Sequence, residues 1–139
     1  MKQPEDQNNY TIFPLGNIAP ADYFTGTAWI KPLVPADDTF NTQVGNVVFE
    51  AGARNYWHAH GGGQILLAID GIGYYQEIGK PIQLLHKGDV VTIAPGVEHW
   101  HGASADSAFT HIAINTNTPK GIVEWLKPVT DEEYNSDKQ

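Results

Sequence analysis

Two histidines lie one residue apart in HAHGGGQ, the stretch from His58 to Gln64. In a β-strand, residues two apart project from the same face, so His58 and His60 would present their imidazoles together, with Ala59 on the other face. Paired imidazoles are well placed to share a divalent cation as neutral nitrogen donors. The three glycines let the backbone turn tightly and bring Gln64 back within reach. Taken alone, such a pair is as compatible with a solvent-facing strand as with a metal site.

A second histidine pair with the same spacing follows in HKGDVVTIAPGVEHWHG. Turns at residues 88–89 and 95–96 bound a short strand, and His99 and His101 come next with matching parity. Five of the six histidines therefore fall in three short strand segments, at 58/60, 99/101 and 111. Scattered surface histidines seldom distribute in this way, so the sequence predicts a metal site.

The elements that must position these histidines are predicted to be short β-strands. With 14 Gly and 9 Pro in the chain, brief β-rich runs are separated by turns, and this spacing favours an all-β sandwich or barrel. The runs are FTGTAWI, TQVGNVVFE, QILLAID, IGYYQEI, DVVTIA and AFTHIAINT. One stretch, TPKGIVEWLKPVT, is predicted to be a short C-terminal helix that starts near Pro119 and ends at Pro128.

Length and composition limit the function classes. The chain has 139 residues, so we expect one domain over 1–139, with loosely held polar ends at about 1–12 and 131–139. A formal net charge of −8 argues against a nucleic-acid surface, which needs clustered Lys and Arg. No apolar run reaches membrane-spanning length and no secretion signal is recognisable, so we expect a cytoplasmic protein without a membrane partner. The absence of cysteine excludes disulfides and thiolate chemistry.

Two segments resemble the motifs of the cupin superfamily. GARNYWHAHGGGQILLAIDG, from Gly52 to Gly71, is similar to the first motif, G-x5-H-x-H-x3-E-x6-G, with Gln64 in place of Glu. GDVVTIAPGVEHWHG, from Gly88 to Gly102, resembles the second, G-x5-P-x-G-x2-H-x3-N, with Ala94 and Ala103 at its first Pro and its final Asn. The resemblance implies a small cupin barrel (a double-stranded β-helix or jelly roll) that holds a metal through His58, His60, Gln64 and His99.

The likeness extends to a subgroup of this superfamily. PADYFTGTAWIKPL, HWHGA with a later THIAI, and the closing VEWLKPVTDEEY are similar to the single-domain bacterial cupins that include manganese-dependent hydroxynitrile lyases. Those proteins also carry Gln at the fourth ligand position, and similar sequences are often labelled carboxymuconolactone-decarboxylase-like. The resemblance implies Mn²⁺ as the metal and, as is common among cupins, a homodimer or higher homo-oligomer.

A glutamine among the ligands has a chemical consequence. Three neutral imidazoles and a neutral amide oxygen would leave the ion its full +2 charge. This favours Lewis-acid chemistry, in which a bound oxygen is polarised and the pKa of a hydroxyl falls. It disfavours cycling to a trivalent metal, which an anionic ligand would stabilise. Imidazole also suits Fe, Zn and Ni, so the donor set alone does not select manganese.

Strand parity extends the predicted pocket beyond the ligands. In AFTHIAINT, His111 shares a face with Asn115, and the resemblance implies that His111 lies near the metal without binding it. We interpret His111 as a general base and His101, on the face of His99, as a catalytic residue that hydrogen-bonds a ligand or the substrate. Arg54 could bind an anionic group or pair with an acidic neighbour. The aromatic candidates for the cavity wall are Phe24, Tyr56, Trp57 and Trp100.

The predicted function is a metal-dependent enzyme that acts on a small molecule, with a divalent ion as Lewis acid and a pocket histidine as base. The resemblance indicates a hydroxynitrile-lyase-like C–C lyase for small 2-hydroxy compounds. Two alternatives stay open, a metal-dependent dioxygenase and a non-catalytic cupin that binds a small ligand. Oxygen consumption with bound iron would favour the first alternative.

Overall fold

The computed structural model describes residues 12–136 and consists mainly of short strands. The expectation of a loosely held N-terminal end concerns residues that, apart from Ile12, lie outside this range. The first six strands are β1 (Asn17–Ile18), β2 (Phe24–Thr25), β3 (Ala28–Val34), β4 (Gln43–Phe49), β5 (Arg54–Asn55) and β6 (His58–Ala59). The next six are β7 (Gln64–Glu77), β8 (Gln83–His86), β9 (Val90–Ile93), β10 (His99–Ala103), β11 (Phe109–Asn115) and β12 (Glu124–Trp125).

The strands form a curled antiparallel sheet in which β7 serves both halves. The main path runs β1-β3-β4-β11-β7-β10-β5-β2. The first part of β7 pairs with β9 and β11, and its second part pairs with β8 and β10. A register shift between Thr110 and His111 marks the point where β11 and β7 change their alignment. This architecture confirms the predicted all-β barrel.

The hydrophobic core lies between the two halves of the sheet and forms the floor of the interior. Phe49, Leu66 and Phe109 are almost completely buried in it. Along β4 and β11, Phe49 pairs with Phe109 and the next inward pair is Val47 with His111. Because strand residues alternate between faces, His111 points to the same interior as this core.

The helix predicted between Pro119 and Pro128 is wrong in its position. Thr118–Lys120 form a single 3₁₀ turn, which ends at Gly121 with a φ of 122°. The chain then becomes extended, and β12 pairs with β6. The N–H of Leu126 donates to the carbonyl oxygen of Trp57 at 2.8 Å. In a helix this N–H would be occupied by a hydrogen bond within the helix. Tertiary pairing therefore overrides the helical spacing of the apolar residues.

The short C-terminal helix lies later, at Asp131–Tyr134, and is named α1. Thr130 and Glu133 cap it reciprocally through their side chains. The hydroxyl of Tyr134 donates to the carbonyl oxygen of Ala103 at 2.7 Å, and its side chain is buried. The end expected to be loosely held from residue 131 is therefore packed as far as Tyr134. Neither α1 nor the 3₁₀ turn, the helices of the described range, is long and apolar enough to cross a membrane.

Candidate metal centre and cavity

Three of the predicted ligands meet where β6 and β10 pair. His58 lies on β6, His60 follows that strand, and His99 pairs directly with His58. All three side chains are buried. One ring nitrogen of each lies within 4.8 Å of the corresponding atoms of the other two. The fold thus brings histidines from two distant parts of the chain to a spacing that can hold one metal ion. We call them the three-histidine cluster.

The glycines between His60 and Gln64 are required by close backbone contacts. A Cβ at Gly61 would clash with the carbonyl oxygen of Lys120, and a Cβ at Gly62 would clash with the carbonyl oxygen of Thr116. The turn therefore packs directly against the segment that follows β11. This packing allows Gln64 to begin β7 beside the histidines.

Backbone carbonyl groups fix the tautomer of each histidine in the cluster. A carbonyl oxygen only accepts hydrogen bonds, so the ring nitrogen that faces it carries the proton. The three Nδ1–H groups donate to carbonyl oxygens: His58 to Tyr56 (2.7 Å), His60 to Ile122 (2.6 Å) and His99 to Val97 (2.9 Å). Each Nε2 keeps an unprotonated lone pair, the arrangement found in histidines that bind metals.

Burial keeps these imidazoles neutral. Desolvation lowers the pKa of His58 well below its ordinary value of 6.5 and also lowers the pKa of His60. The same cause lowers the pKa of His99 to about 4. At neutral pH all three rings are therefore in the form that binds a metal ion.

Gln64 adds an oxygen atom to the cluster. Its Nε2 donates to Oδ1 of Asn115 at 2.9 Å, which turns its Oε1 toward His99. This Oε1 lies 3.2 Å from the Nε2 of His99. Both atoms are acceptors when His99 carries its proton on Nδ1, so their proximity is favourable only with a positive charge nearby. The buried Nε2 of His60 likewise has no hydrogen-bond partner among residues 12–136.

These features fit a divalent transition ion. Three imidazole nitrogens and one amide oxygen converge. Two of these nitrogens, the Nε2 atoms of His60 and His99, have no hydrogen-bond donor facing them. All four donors are neutral, which matches the expectation from the sequence. The donor types suit several transition metals, so they do not identify the ion.

His101 and His111 form a hydrogen-bonded pair beside the cluster. The Nε2 of His111 lies 3.0 Å from the Nδ1 of His101. The ring of His101 stacks on that of His99, with ring centroids 5.6 Å apart. Burial lowers the pKa of His111 to about 3 and the pKa of His101 well below its ordinary value. Both predicted catalytic residues are therefore neutral rings; His101 lies next to the three-histidine cluster, and His111 adjoins it through His101.

The surroundings of this pair include a polar residue that sequence reasoning missed. Asn55 accepts from the backbone N–H of His101 at 2.9 Å, and its Nδ2 lies 3.2 Å from the Nδ1 of the same ring. Residues 56–57 interrupt the strand between β5 and β6, so parity counted back from His58 does not identify Asn55. On the other ring, Nδ1 of His111 is buried and has no partner within the described range.

The cluster and the histidine pair border one cavity of about 270 Å³. Its walls are largely apolar, and polar atoms come from the imidazoles and from several side-chain amides. The apolar lining includes Phe24, Ile30, Val47, Phe49, Ile122 and Trp125, and the amide lining consists of Gln43, Asn55, Gln64 and Asn115. Such a cavity suits a small, partly apolar molecule.

Of the four aromatic candidates for the cavity wall, only Phe24 lines it. Trp57 and Trp100 pack instead in a separate cluster, together with Tyr134. Sequence reasoning missed Trp125, because its segment was expected to be helical. The Trp125 ring centroid lies 4.9 Å from that of His58.

Arg54 is turned to the C-terminal segment. Its guanidinium donates to the carbonyl oxygen of Val129 at 2.9 Å and to the carboxylate of Asp131 at 2.8 Å. It also lies over the ring of Tyr134, 4.5 Å from the centroid. Of the two roles considered for Arg54, the structure shows pairing with an acidic neighbour.

Comparisons with known proteins agree with one another. The sequence profile of the family described as "Cupin domain" matches residues 45–115. An (R)-mandelonitrile lyase from Granulicella tundricola is 45% identical over 115 residues, which cover 83% of this chain and 88% of that protein. A cupin-like protein from Thermotoga maritima superimposes with a TM-score of 0.89 at 52% identity, over 91% of this chain and 96% of that chain. A Cupin 2 conserved barrel domain protein from Salinispora arenicola gives a TM-score of 0.54 at 26% identity, over 63% and 73%.

Proposed function

This chain belongs to the cupin family, and from that premise we propose that it is a metal-dependent lyase that cleaves the carbon–carbon bond of a small 2-hydroxynitrile. One observation carries the proposal: residues that supply a neutral donor set line the same largely apolar cavity as His111, a buried imidazole with one ring nitrogen that no described residue engages. The likeness to an (R)-mandelonitrile lyase, at 45% identity, supports the same substrate class.

His58, His60, Gln64 and His99 would hold the metal. When bound there, a divalent ion supplies Lewis acidity that lowers the pKa of a hydroxyl group. The four neutral donors preserve this acidity because none of them cancels positive charge. We propose Mn²⁺ as the resident ion on the strength of the sequence resemblance, with Fe, Zn and Ni as alternatives that the same donors accept.

The rest of the cavity would bind and orient the substrate. Phe24, Phe49 and Trp125 would pack against its aryl or alkyl group and exclude water from the reacting centre. The hydroxyl would then face the cluster of imidazoles, where the cavity is polar. This orientation would bring the hydroxyl proton within reach of His111, which lines the same cavity.

His111 would act as the base and then as the acid. Burial lowers its pKa to about 3, so the ring is neutral at pH 7 and accepts a proton only from an acidified hydroxyl. As the hydroxyl proton moves to the imidazole, the oxygen electron pair forms the carbonyl double bond. The bond to the nitrile carbon breaks, and its electrons leave with cyanide. The imidazolium returns the proton to cyanide, so an aldehyde and hydrogen cyanide leave and His111 is neutral again.

Cleavage of mandelonitrile tests the proposal. Protein reconstituted with Mn²⁺, and checked by elemental analysis, should release benzaldehyde and cyanide in equal amounts without consuming oxygen. Chelation should abolish the reaction and added Mn²⁺ should restore it. Metal-loaded protein that is inert on mandelonitrile and on a retro-aldol substrate would refute the lyase assignment. Oxygen uptake by the iron-loaded protein, absent with manganese, would instead support the dioxygenase.

A further inference from the structure

Three side-chain amides form a continuous hydrogen-bonded chain that ends at His99. Nε2 of Gln64 donates to Oδ1 of Asn115 at 2.9 Å, and Nδ2 of Asn115 donates to Oε1 of Gln43 at 2.8 Å. The strand register aligns them, since Asn115 pairs with Gln43 on β4 and with Gln64 on β7. We call Gln43, Asn115 and Gln64 the amide chain. Gln43 and Asn115 lie outside both segments that resemble the cupin motifs.

The amide chain has two fully bonded arrangements. Each amide has one end that only accepts and one end that only donates, so the orientation of one amide dictates that of the next. In the arrangement present here, Gln64 turns its Oε1 toward His99. In the reverse arrangement all three amides are turned over, and Gln64 would donate to His99 through Nε2. Turning over a single amide would bring like ends together at hydrogen-bond distance, which costs the bond and adds repulsion.

A cation decides between these arrangements. The Nε2 of His99 has no proton, because Nδ1 donates to the carbonyl oxygen of Val97. Next to an unprotonated nitrogen and no cation, the reverse arrangement is preferred, since it supplies a donor. Next to a cation, the arrangement seen here is preferred, since it supplies an oxygen ligand. Gln43 stands at the far end of the amide chain from Gln64, the candidate metal ligand. Its orientation therefore affects metal binding.

We propose that Gln43 and Asn115 are positioning residues that set which end of the Gln64 amide faces the three-histidine cluster and thereby control the affinity for a divalent ion. This inference rests on the metal site of the proposed function and is independent of the lyase reaction. Residues that hydrogen-bond a metal ligand typically contribute ~10- to 100-fold in metal affinity.

Two matched substitutions at Gln43 separate orientation from packing. In Gln43→Glu the carboxylate can only accept, so Asn115 must donate to it and Gln64 must keep its oxygen toward His99. In Gln43→Met the side chain has nearly the same size but bonds the Asn115 amide in neither arrangement, so it favours neither orientation of Gln64. Val123→Ala is the control, because Val123 lines the same cavity and is not a member of the amide chain.

The experiment measures dissociation constants for Mn²⁺ and Co²⁺ on metal-free protein, without substrate, together with the visible absorption spectrum of the Co²⁺ form. Gln43→Glu should bind both ions more tightly than the wild type, because Gln64 can no longer turn over in the metal-free protein. Gln43→Met should bind about 10- to 100-fold more weakly than Gln43→Glu, and the Co²⁺ spectra of the two variants should differ, since the spectrum reports the ligand set. Val123→Ala should bind like the wild type. The thermal midpoints of the metal-free proteins should differ little.

Equal affinity of the Met and Glu variants would overturn the inference, and so would a Val123→Ala variant whose affinity differs from the wild type as much as that of Gln43→Glu. If Gln43→Met does not fold, Asn115→Leu and Asn115→Asp test the same inference. Asp still accepts from Gln64 and Leu does not, so the Asp variant should bind metal more tightly than the Leu variant. If the variants follow this pattern but the metal-loaded wild type leaves both mandelonitrile and the retro-aldol substrate intact, the lyase assignment alone is refuted. A wild-type protein that binds neither Mn²⁺ nor Co²⁺ would refute both the role of the amide chain and the lyase assignment.

Discussion

The Nδ1–H of His60 donates to the carbonyl oxygen of Ile122 at 2.6 Å, which links a candidate metal ligand to a residue 62 positions later in the chain. Ile122 is held in place because the adjoining strand β12 pairs with β6. Beyond β12, Arg54 binds the carbonyl oxygen of Val129, and Tyr134 binds that of Ala103. The C-terminal segment is therefore part of the scaffold that orients the candidate metal site.

We expect Tyr134→Phe to lower the free energy of unfolding by about 1 kcal/mol, because it removes a buried hydrogen bond without changing the shape of the ring. The bond runs from the hydroxyl to the carbonyl oxygen of Ala103. Asp131→Asn is the control and should cost less, since the Asp131 side chain is 90% exposed and its ion pair with Arg54 is screened by solvent. Urea unfolding measures both. A larger loss for the Asp131 variant would show that the ion pair, not the hydroxyl, secures this segment.

Replacing His58 and His60 together by Ala should reduce the metal content from about one ion per chain to almost none. Both rings keep an Nε2 lone pair directed into the three-histidine cluster, and no other described side chain supplies those donors. Elemental analysis of protein purified without added metal gives the result. His86→Ala is the matched control, since His86 is exposed and lies outside the cluster. A double variant that still purifies with stoichiometric metal would show that the ligands are misassigned.

Gln64→Glu should retain the metal but lower the lyase rate. A carboxylate oxygen can replace the amide oxygen as a ligand, yet its negative charge reduces the polarisation of a substrate hydroxyl. Glu also cannot donate to Asn115 in its ionised form, so Asn115 and Gln43 must turn over for Nδ2 of Asn115 to donate to the carboxylate. Metal content and the rate of mandelonitrile cleavage should be measured on the same preparation. An unchanged rate would mean that the neutral ligand is irrelevant to the chemistry.

Local patterns were sufficient to predict the strands and the grouping of histidines. Alternation on short strands anticipated that His58, His60 and His99 would face one interior, because the side-chain period of a strand is independent of the rest of the fold. The run of three glycines before Gln64 likewise predicts a tight turn, although the close approach of Lys120 and Thr116 that leaves no room for a Cβ is apparent only from the fold. Such features depend on a few neighbouring residues.

Long-range pairing explains what sequence reasoning missed. The spacing of Ile122, Val123 and Leu126 is helical, yet hydrogen bonds to β6 make this segment a strand and turn Trp125 into the cavity. Asn55 reaches His101 across 46 positions, and nothing adjacent to Asn55 in sequence indicates this contact. The cytoplasmic location and the homodimer depend on surroundings outside one chain, and they stay predictions.

The metal-free protein should lose stability as the pH falls from 7 toward 4. Burial lowers the folded-state pKa of five histidines, to about 4 for His99 and about 3 for His111; the others are His58, His60 and His101. In the unfolded chain histidines bind protons near pH 6.5, so below that pH the unfolded state holds more protons and is favoured. Each proton of difference costs about 1.4 kcal/mol per pH unit. Urea midpoints at several pH values provide the measurement, and a constant midpoint would mean that these rings are not held neutral.

His111→Ala should reduce the rate of mandelonitrile cleavage by roughly 100- to 10,000-fold, the usual contribution of a general base, while the metal content stays unchanged. The His111 ring is completely buried and packs on Phe49, with centroids 5.3 Å apart, so the Ala variant also removes packing. His111→Gln distinguishes the two effects, because Gln restores volume and a hydrogen bond to His101 but offers no basic nitrogen. If His111 transfers the proton, the Gln variant regains thermal stability and remains slow. A Gln variant as fast as the wild type would reduce His111 to a packing role and leave the metal site without an identified base.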